Sequence, residues 1–156
     1  QDKWEYIVDN MPISSIDMVV YDFNKDWFLL GRRTSVVANG YWFVPGGRIK
    51  KHESFKEAVH RIADEETGLD VEIVEQLGAY EHFYPEADCG AESGKHYTPT
   101  AFIVHADSSQ DIETDDQHTE LRWFKQPPKL THKYPLEFLD DSGVWPRDEE
   151  RLPEYP

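Results

Sequence analysis

The chain has 156 residues, about one domain, with 38% hydrophobic and 13% aromatic side chains, enough to build a core. Its 31 acids against 16 bases give a formal net charge of -15, which argues against nucleic acid as a partner, because phosphate binding needs a basic footprint. No apolar run reaches the roughly 20 residues of a membrane helix and no secretory signal opens the chain; one cysteine, Cys89, excludes an internal disulfide and fits a reducing, cytoplasmic setting.

Trp4, Ile7 and Val8 can form one face of a short first helix, ended near Asn10 and Pro12. Ser14 to Tyr21 alternates, with Ile16, Met18 and Val20 on one side and Asp17 on the other, the pattern of a half-buried strand. DFNKD at 22–26 reads as a hairpin turn into a strand from Trp27 to Arg33. Asn39-Gly40 is a further turn, leading to the short strand Tyr41 to Val44, which Pro45-Gly46-Gly47 should end. A helix is expected from Glu53 to Thr67, since Phe55, Ala58, Val59, Ile62 and Ala63 recur at i, i+3, i+4, i+7 and i+8, and Gly68 supplies its stop. Strands should follow at 71–84, 96–106 and 120–124; Pro99 marks the second as an edge strand or as bulged. After Pro127-Pro128 the chain thins into loops with a short helix expected from Tyr134 to Leu139, and the end, WPRDEERLPEYP, reads as an extended surface tail. One helix among many strands, with another late, predicts a mixed α/β sandwich.

The chemistry concentrates in residues 47–69. They follow G-x5-E-x7-R-E-U-x-E-E-x-G-U, with U aliphatic, through Gly47, Glu53, Arg61, Ala63, Glu65, Glu66, Gly68 and Leu69. Ile62 stands where the first Glu of the R-E pair would be. This stretch resembles the Nudix box, a loop-helix-loop that carries carboxylates to a divalent metal on a diphosphate. Ile62 removes one negative charge from that cluster, which predicts a poorer, single-metal site. Seven of the 16 basic residues (Arg32, Arg33, Arg48, Lys50, Lys51, Lys56, Arg61) lie between positions 32 and 61, so an anionic ligand can be held locally despite the repulsive far field.

GRRT at 31–34, NGYWFVPGGRI at 39–49, EHFY at 81–84 and DDQHTELRW at 115–123 resemble the GDP-mannose mannosyl hydrolase subfamily of Nudix proteins, which also lacks that Glu. The resemblance implies the Nudix fold, a mixed β-sheet sandwiched between helices, as a single domain over 1–156 with the box at 47–69 and a tail over about 128–156. It implies Mg²⁺-dependent hydrolysis of a nucleotide sugar at the sugar C1, with inversion, to GDP and the free hexose; Mn²⁺ can stand in for Mg²⁺. Metal would be bound by Glu66, the side-chain oxygen of Gln117 and the carbonyl of Gly46. His118 would be the general base, a task to which an imidazole is chemically suited. Arg33, Arg48 and Arg61 would meet the diphosphate, Asp17 would hold the sugar beside the reacting carbon, Tyr97 would bind the nucleotide diphosphate and His82 the sugar pocket. A homodimer is implied as well.

Two other readings stay open on the residues alone. A conventional Nudix pyrophosphohydrolase would cut at phosphorus and release GMP, and a nucleotide-sugar binding module would not turn over at all. Arg61 and Glu65 (i, i+4) also fit an ordinary helix ion pair, while His52, His60, His105 and His132 read as surface residues. The acids are dispersed along the chain, densest at 111–120, as in proteins of a salt-rich cytoplasm, where above 1 M salt the Debye length is about 3 Å or less.

Overall fold

The computed structural model describes residues 2–34, 38–87, 89, 91–114 and 119–145. Helix α1 (Lys3–Asn10) starts at an Asp2 cap whose carboxylate accepts from Glu5 N–H, and it buries Val8. Strands β1 (Ile13–Asp22), β2 (Trp27–Arg33), β3 (Trp42–Phe43) and β4 (Gly46–Arg48) precede α2 (Phe55–Thr67). Then come β5 (Glu72–Ala79), β6 (His82–Tyr84), β7 (Lys95–His105), β8 (Thr119–Phe124) and α3 (Lys133–Asp141).

Among the described residues the strands form one mixed sheet of order β3-β2-β1-β7-β5, with β4 on β1, β6 on β7 and β8 on β2. β1 runs parallel to β7 over nine residue pairs, from Ile13↔Tyr97 to Tyr21↔His105. On its other edge β1 meets β2 only at Tyr21↔Phe28 and Asp22↔Trp27, and meets β4 at Ser15↔Arg48, Ile16↔Gly47 and Asp17↔Gly46. The sheet therefore splits along β1, with β2 leaving to pair with β3 and β8.

β1 is buried on both faces rather than one. Ile16, Met18 and Val20 pack with Ala58, Val59, Ile62 and Ala63 of α2, whereas Val19 packs with Phe28, Leu30 and, from α3, Phe138 and Leu139. Pattern alone missed the second face because α3 lies over a hundred residues away in sequence. Gly46-Gly47 does not simply end a strand, as expected, but pairs with β1 as β4. Phe55 departs from the predicted stripe: it is 44% exposed.

α2 begins with a capping box, Ser54 Oγ accepting from Glu57 N–H and the Glu57 carboxylate accepting from Ser54 N–H. It stops at Gly68, φ 69°, where a Cβ would also lie 2.7 Å from the Glu113 carbonyl oxygen. β7 is interior, not an edge. Pro99 is tolerated there because it falls opposite the gap between β5, which ends at Ala79↔Thr100, and β6, which starts at His82↔Tyr97. The expected tail from 146 onward lies outside the described residues.

Candidate active site

A cavity of about 130 Å³ opens where β1 takes β4, lined by Ser15, Asp17, Arg33, Gly46, Arg48, His82 and Tyr97 together with Phe43, Gly47 and Tyr84. Six residues singled out from the sequence, Asp17, Arg33, Gly46, Arg48, His82 and Tyr97, thus share one wall-to-wall space. Strand register explains the gathering. Ser15 and Asp17 are alternate residues of β1, opposite Arg48 and Gly46 of β4, and His82 of β6 stands opposite Tyr97 of β7.

Gly46 is demanded by close approach. A Cβ there would sit 2.0 Å from Asp17 Oδ1 and 2.7 Å from the Ile16 carbonyl oxygen, so only glycine lets β4 lie against the Asp17 carboxyl. The Asp17 side chain is 20% exposed. Burial pushes its pKa from 3.8 up to about 7, against a smaller opposing pull from Arg33. His82 Nδ1 lies 3.7 Å from Asp17 Oδ2, too far for a hydrogen bond. Burial, helped by His132, lowers the His82 pKa to about 4. Both groups are driven toward their neutral forms, so the contact is not an ion pair at neutral pH.

Aromatic rings fix the charged side chains. The Arg33 guanidinium lies 4.7 Å from the Phe43 ring centroid, and Arg48 lies 5.1 Å from that of Trp4. Phe43 also stacks on His132, centroids 4.6 Å apart, so His132 belongs to an aromatic cluster and not to the surface as expected. Burial, with Lys133 and Arg33, lowers its pKa to about 4. His82 stacks on Tyr134 at 3.8 Å and 7°. The Tyr134 hydroxyl donates to the Phe83 carbonyl oxygen (3.1 Å) and accepts from Phe83 N–H (2.9 Å). Trp4, Phe43, Tyr84 and Tyr134 were all missed from sequence; period two would have flagged Ser15 beside Asp17 and Tyr84 beside His82.

Arg61 makes the i, i+4 pair with Glu65 that its spacing allows, and more besides. Its Nε and Nη2 donate to Glu53 Oε2 (2.6 Å) and Oε1 (2.8 Å), Nη1 to Glu65 Oε2 (3.0 Å) and Nη2 to the Arg48 carbonyl oxygen (2.9 Å). It ties the 47–53 loop to α2 and does not line the cavity. The Arg61 bonds hold the Glu53 carboxyl at a pKa of about 2, below its usual 4.5.

Ile62 is 1% exposed and lies in the core cluster beneath β4; a Cβ on Gly47 would touch its Cδ1 at 3.4 Å. Glu66 follows one turn later on this side of α2 and is half-buried. The Gly46 carbonyl and the Glu66 carboxylate are hard oxygen donors that suit Mg²⁺. No group of three or more His, Cys, Asp or Glu that could hold a metal occurs among the described residues. Gln117 and His118 lie outside the described residues; Thr119, which follows them in the chain, pairs with Arg33.

Residues 11–131 match the NUDIX domain. The chain belongs to the Nudix hydrolase family. Over 139 residues, 89% of this chain and 87% of the relative, it is 43% identical to the low-salt glycan biosynthesis protein Agl8 of Haloferax volcanii. It is 28% identical over 86 residues, 55% of this chain and 70% of the relative, to an 8-oxo-dGTP diphosphatase of Proteus vulgaris. Among solved structures it is similar to a MutT NUDIX hydrolase from Burkholderia pseudomallei (TM-score 0.67, 22% identity, 85% of this chain and 98% of that one). It also resembles the NUDIX domain of Shewanella oneidensis NrtR complexed with ADP ribose (TM-score 0.64, 18% identity, 92% and 97%). The Nudix fold, with its mixed sheet between helices, is that of this chain. Nudix hydrolases act on nucleotide-derived substrates and generally use divalent metals such as Mg²⁺. No helix among the described residues is long and apolar enough to cross a membrane.

Proposed function

We propose that this Nudix hydrolase cleaves a GDP-hexose, GDP-mannose in the first instance, at the sugar C1 to give GDP and the inverted free hexose. The observation that carries the reading is the pairing of a buried Ile62, where the box would place an acid, with a half-buried Asp17 that lines the same cavity as Arg33 and Arg48. A box short of one carboxylate is poorly equipped to assemble metals for attack at phosphorus. A carboxyl next to guanidiniums suits departure of a diphosphate from carbon.

As C1–O breaks, negative charge grows on the leaving β-phosphate and positive charge on C1. Arg33 and Arg48, held over Phe43 and Trp4, meet the first without reorganising. Asp17 meets the second: desolvation disfavours its anion in the free protein, so a neighbouring cation draws it into the charged form. Mg²⁺ held by Gly46 O, Glu66 and Gln117 would neutralise the diphosphate. His118, sequence neighbour of Thr119 opposite Arg33, takes the proton from the attacking water. Tyr97 and His82, paired across β6 and β7, close the wall against the substrate, and Arg61 holds the loop that carries Arg48.

The Haloferax relative, named for glycan biosynthesis, favours a nucleotide sugar, and its salt-loving host fits the acidic composition. We place the protein in a salt-rich cytoplasm as a homodimer; light scattering in 2 M KCl giving a monomer mass would remove the dimer. Reaction with GDP-mannose in ¹⁸O water tests the chemistry. Label in the sugar supports attack at carbon, whereas label in phosphate, with GMP as product, supports the pyrophosphohydrolase reading. The 8-oxo-dGTP diphosphatase relative favours that second reading, and the engagement of Glu65 by Arg61 weighs against it. Tight binding of GDP-mannose with no product at all would leave a binding module.

A further inference from the structure

A second cavity, of about 700 Å³, lies beside the first and is lined by Tyr41, Phe83, Tyr84, His132, Tyr134 and Lys133, with Ala38, Pro85, Glu86 and Glu137 at its margins. Tyr84 lines both cavities. The partition is one ring pair thick, since Phe43, in the first, is stacked on His132, in the second. The two spaces differ in chemistry. Arg33, Arg48 and Asp17 belong to the small one, and rings dominate the large one, with Lys133 the cation among its described lining residues.

We propose that the large cavity receives the nucleobase of a nucleoside diphosphate whose phosphates lie against Arg33 and Arg48. The proposal rests on the nucleotide-sugar reading of the first site and extends it to the other end of the substrate. A volume of about 130 Å³ is too small for sugar, diphosphate and nucleoside together, so part of such a ligand must lie outside it, and the adjoining cavity, which shares Tyr84, falls within the usual range for small-molecule sites. The flat, weakly charged end of the ligand belongs with ring faces, on which any base can stack. The anionic end belongs with the guanidiniums. Ring faces are available: Tyr41 meets His132 edge-on at 86° and has no stacked ring among the described residues, and Phe83 is 58% exposed. Glu137, exposed on α3, offers its carboxylate to N–H groups on a base edge.

The other neighbouring cavity, of about 290 Å³ on the far side of Tyr84, is the competing place for the base. Asp9 and Ser93 line it and are already hydrogen-bonded to each other (2.8 Å). It offers fewer ring faces.

Calorimetry in Mg²⁺ buffer with GDP, GDP-mannose and inorganic pyrophosphate tests the assignment on two variants. Tyr41→Ala removes a ring face, and Glu137→Trp, at an exposed helix position, fills the cavity without touching the core. Both should weaken GDP about 10-fold or more, in line with base–aromatic stacking, while pyrophosphate binding stays within twofold. GDP affinity unchanged in both variants overturns the proposal. So does a loss of affinity confined to GDP-mannose, which would put the hexose in this cavity, or an equal loss for pyrophosphate, which would make the effect structural. Wild-type protein that binds pyrophosphate but no nucleoside diphosphate overturns this proposal and the nucleotide-sugar reading together. GDP binding lost in both variants, alongside cleavage at phosphorus, sustains the base site and removes only the chemistry proposed at C1.

Discussion

Ile16, Met18 and Val20 of β1 lie at 0% exposure against α2, while Ser15 and Asp17, alternating with them, line a polar cavity on the opposite face. The two faces of one strand obey different rules. On the α2 face, burial of hydrocarbon at roughly 25 cal/mol per Å² holds the sheet to the box helix, and even the position where the box would carry an acid has been given to Ile62. On the other face, α3 covers Val19 but leaves Asp17 beside a space, and burial there works against the charge it surrounds. One face is settled by burial alone, while the other keeps a carboxyl whose charge burial disfavours, a division that fits a group retained for function over stability.

Ile62→Glu is the sharpest way to break that contrast. If position 62 is core, a carboxylate at 1% exposure should cost about 4 kcal/mol in metal-free buffer, read as a fall in Tm, with much of the loss recovered in millimolar Mg²⁺. A variant as stable as wild type without metal would mean that this position faces the site, and the contrast would fail.

Asp17→Asn probes the opposite face with the opposite sign. Its folded pKa of about 7 lies above the ordinary 3.8, so the folded protein keeps a proton that the unfolded chain releases between those values. Stability therefore falls as pH rises from about 4 to about 7 and is flat beyond. The asparagine variant should match wild type near pH 4 and exceed it by about 2–4 kcal/mol at pH 8, while losing turnover. Urea melts at the two pH values decide; a variant less stable at pH 8 would show that Asp17 is not under strain.

Arg61→Ala should cost about 2–3 kcal/mol, because it strands the Glu53 carboxylate, 12% exposed, without its two guanidinium bonds. Arg61→Lys should recover little, since an ammonium cannot span Glu53, Glu65 and the Arg48 carbonyl together. Glu53 has a depressed folded pKa of about 2 against 4.5, so its contribution is complete above about pH 5 and is lost as pH falls through 2. Thermal melts between pH 2 and 6 should be steeper for wild type than for the alanine variant. Identical slopes would remove Arg61 as the clamp of the loop.

Much of this was readable before any fold was drawn. Box spacing located α2 and Gly68, and alternation located β1 with Asp17 opposed to Ile16 and Met18. What escaped was long-range. Neither the second apolar face of β1 nor the rings of Phe43, His132 and Tyr134 that fix Arg33 and His82 can be inferred locally, because α3 and the sheet meet only in three dimensions. For Arg61 the i, i+4 spacing pointed to Glu65, which it does meet, but not to Glu53, eight residues away across a loop. Pro99 misled because a gap between β5 and β6 is not written at Pro99 itself.

Glu120→Gln carries the smallest expected effect, and it sets the floor against which the others are measured. Glu120 pairs with Arg32 (3.1 Å) and with Arg122, all three side chains at least 36% exposed. Such pairs stabilise by about 0.5 kcal/mol or less and are screened by salt. With a formal net charge of -15, removing one more acid also relieves repulsion, so the two contributions oppose each other. In low salt the variant should lie within about 0.5 kcal/mol of wild type, and in 2 M KCl the difference should vanish. A loss above 1 kcal/mol that survives 2 M KCl would mean that this end of β8, where Thr119 meets Arg33, is held by more than a surface pair, and would extend the strained face beyond Asp17.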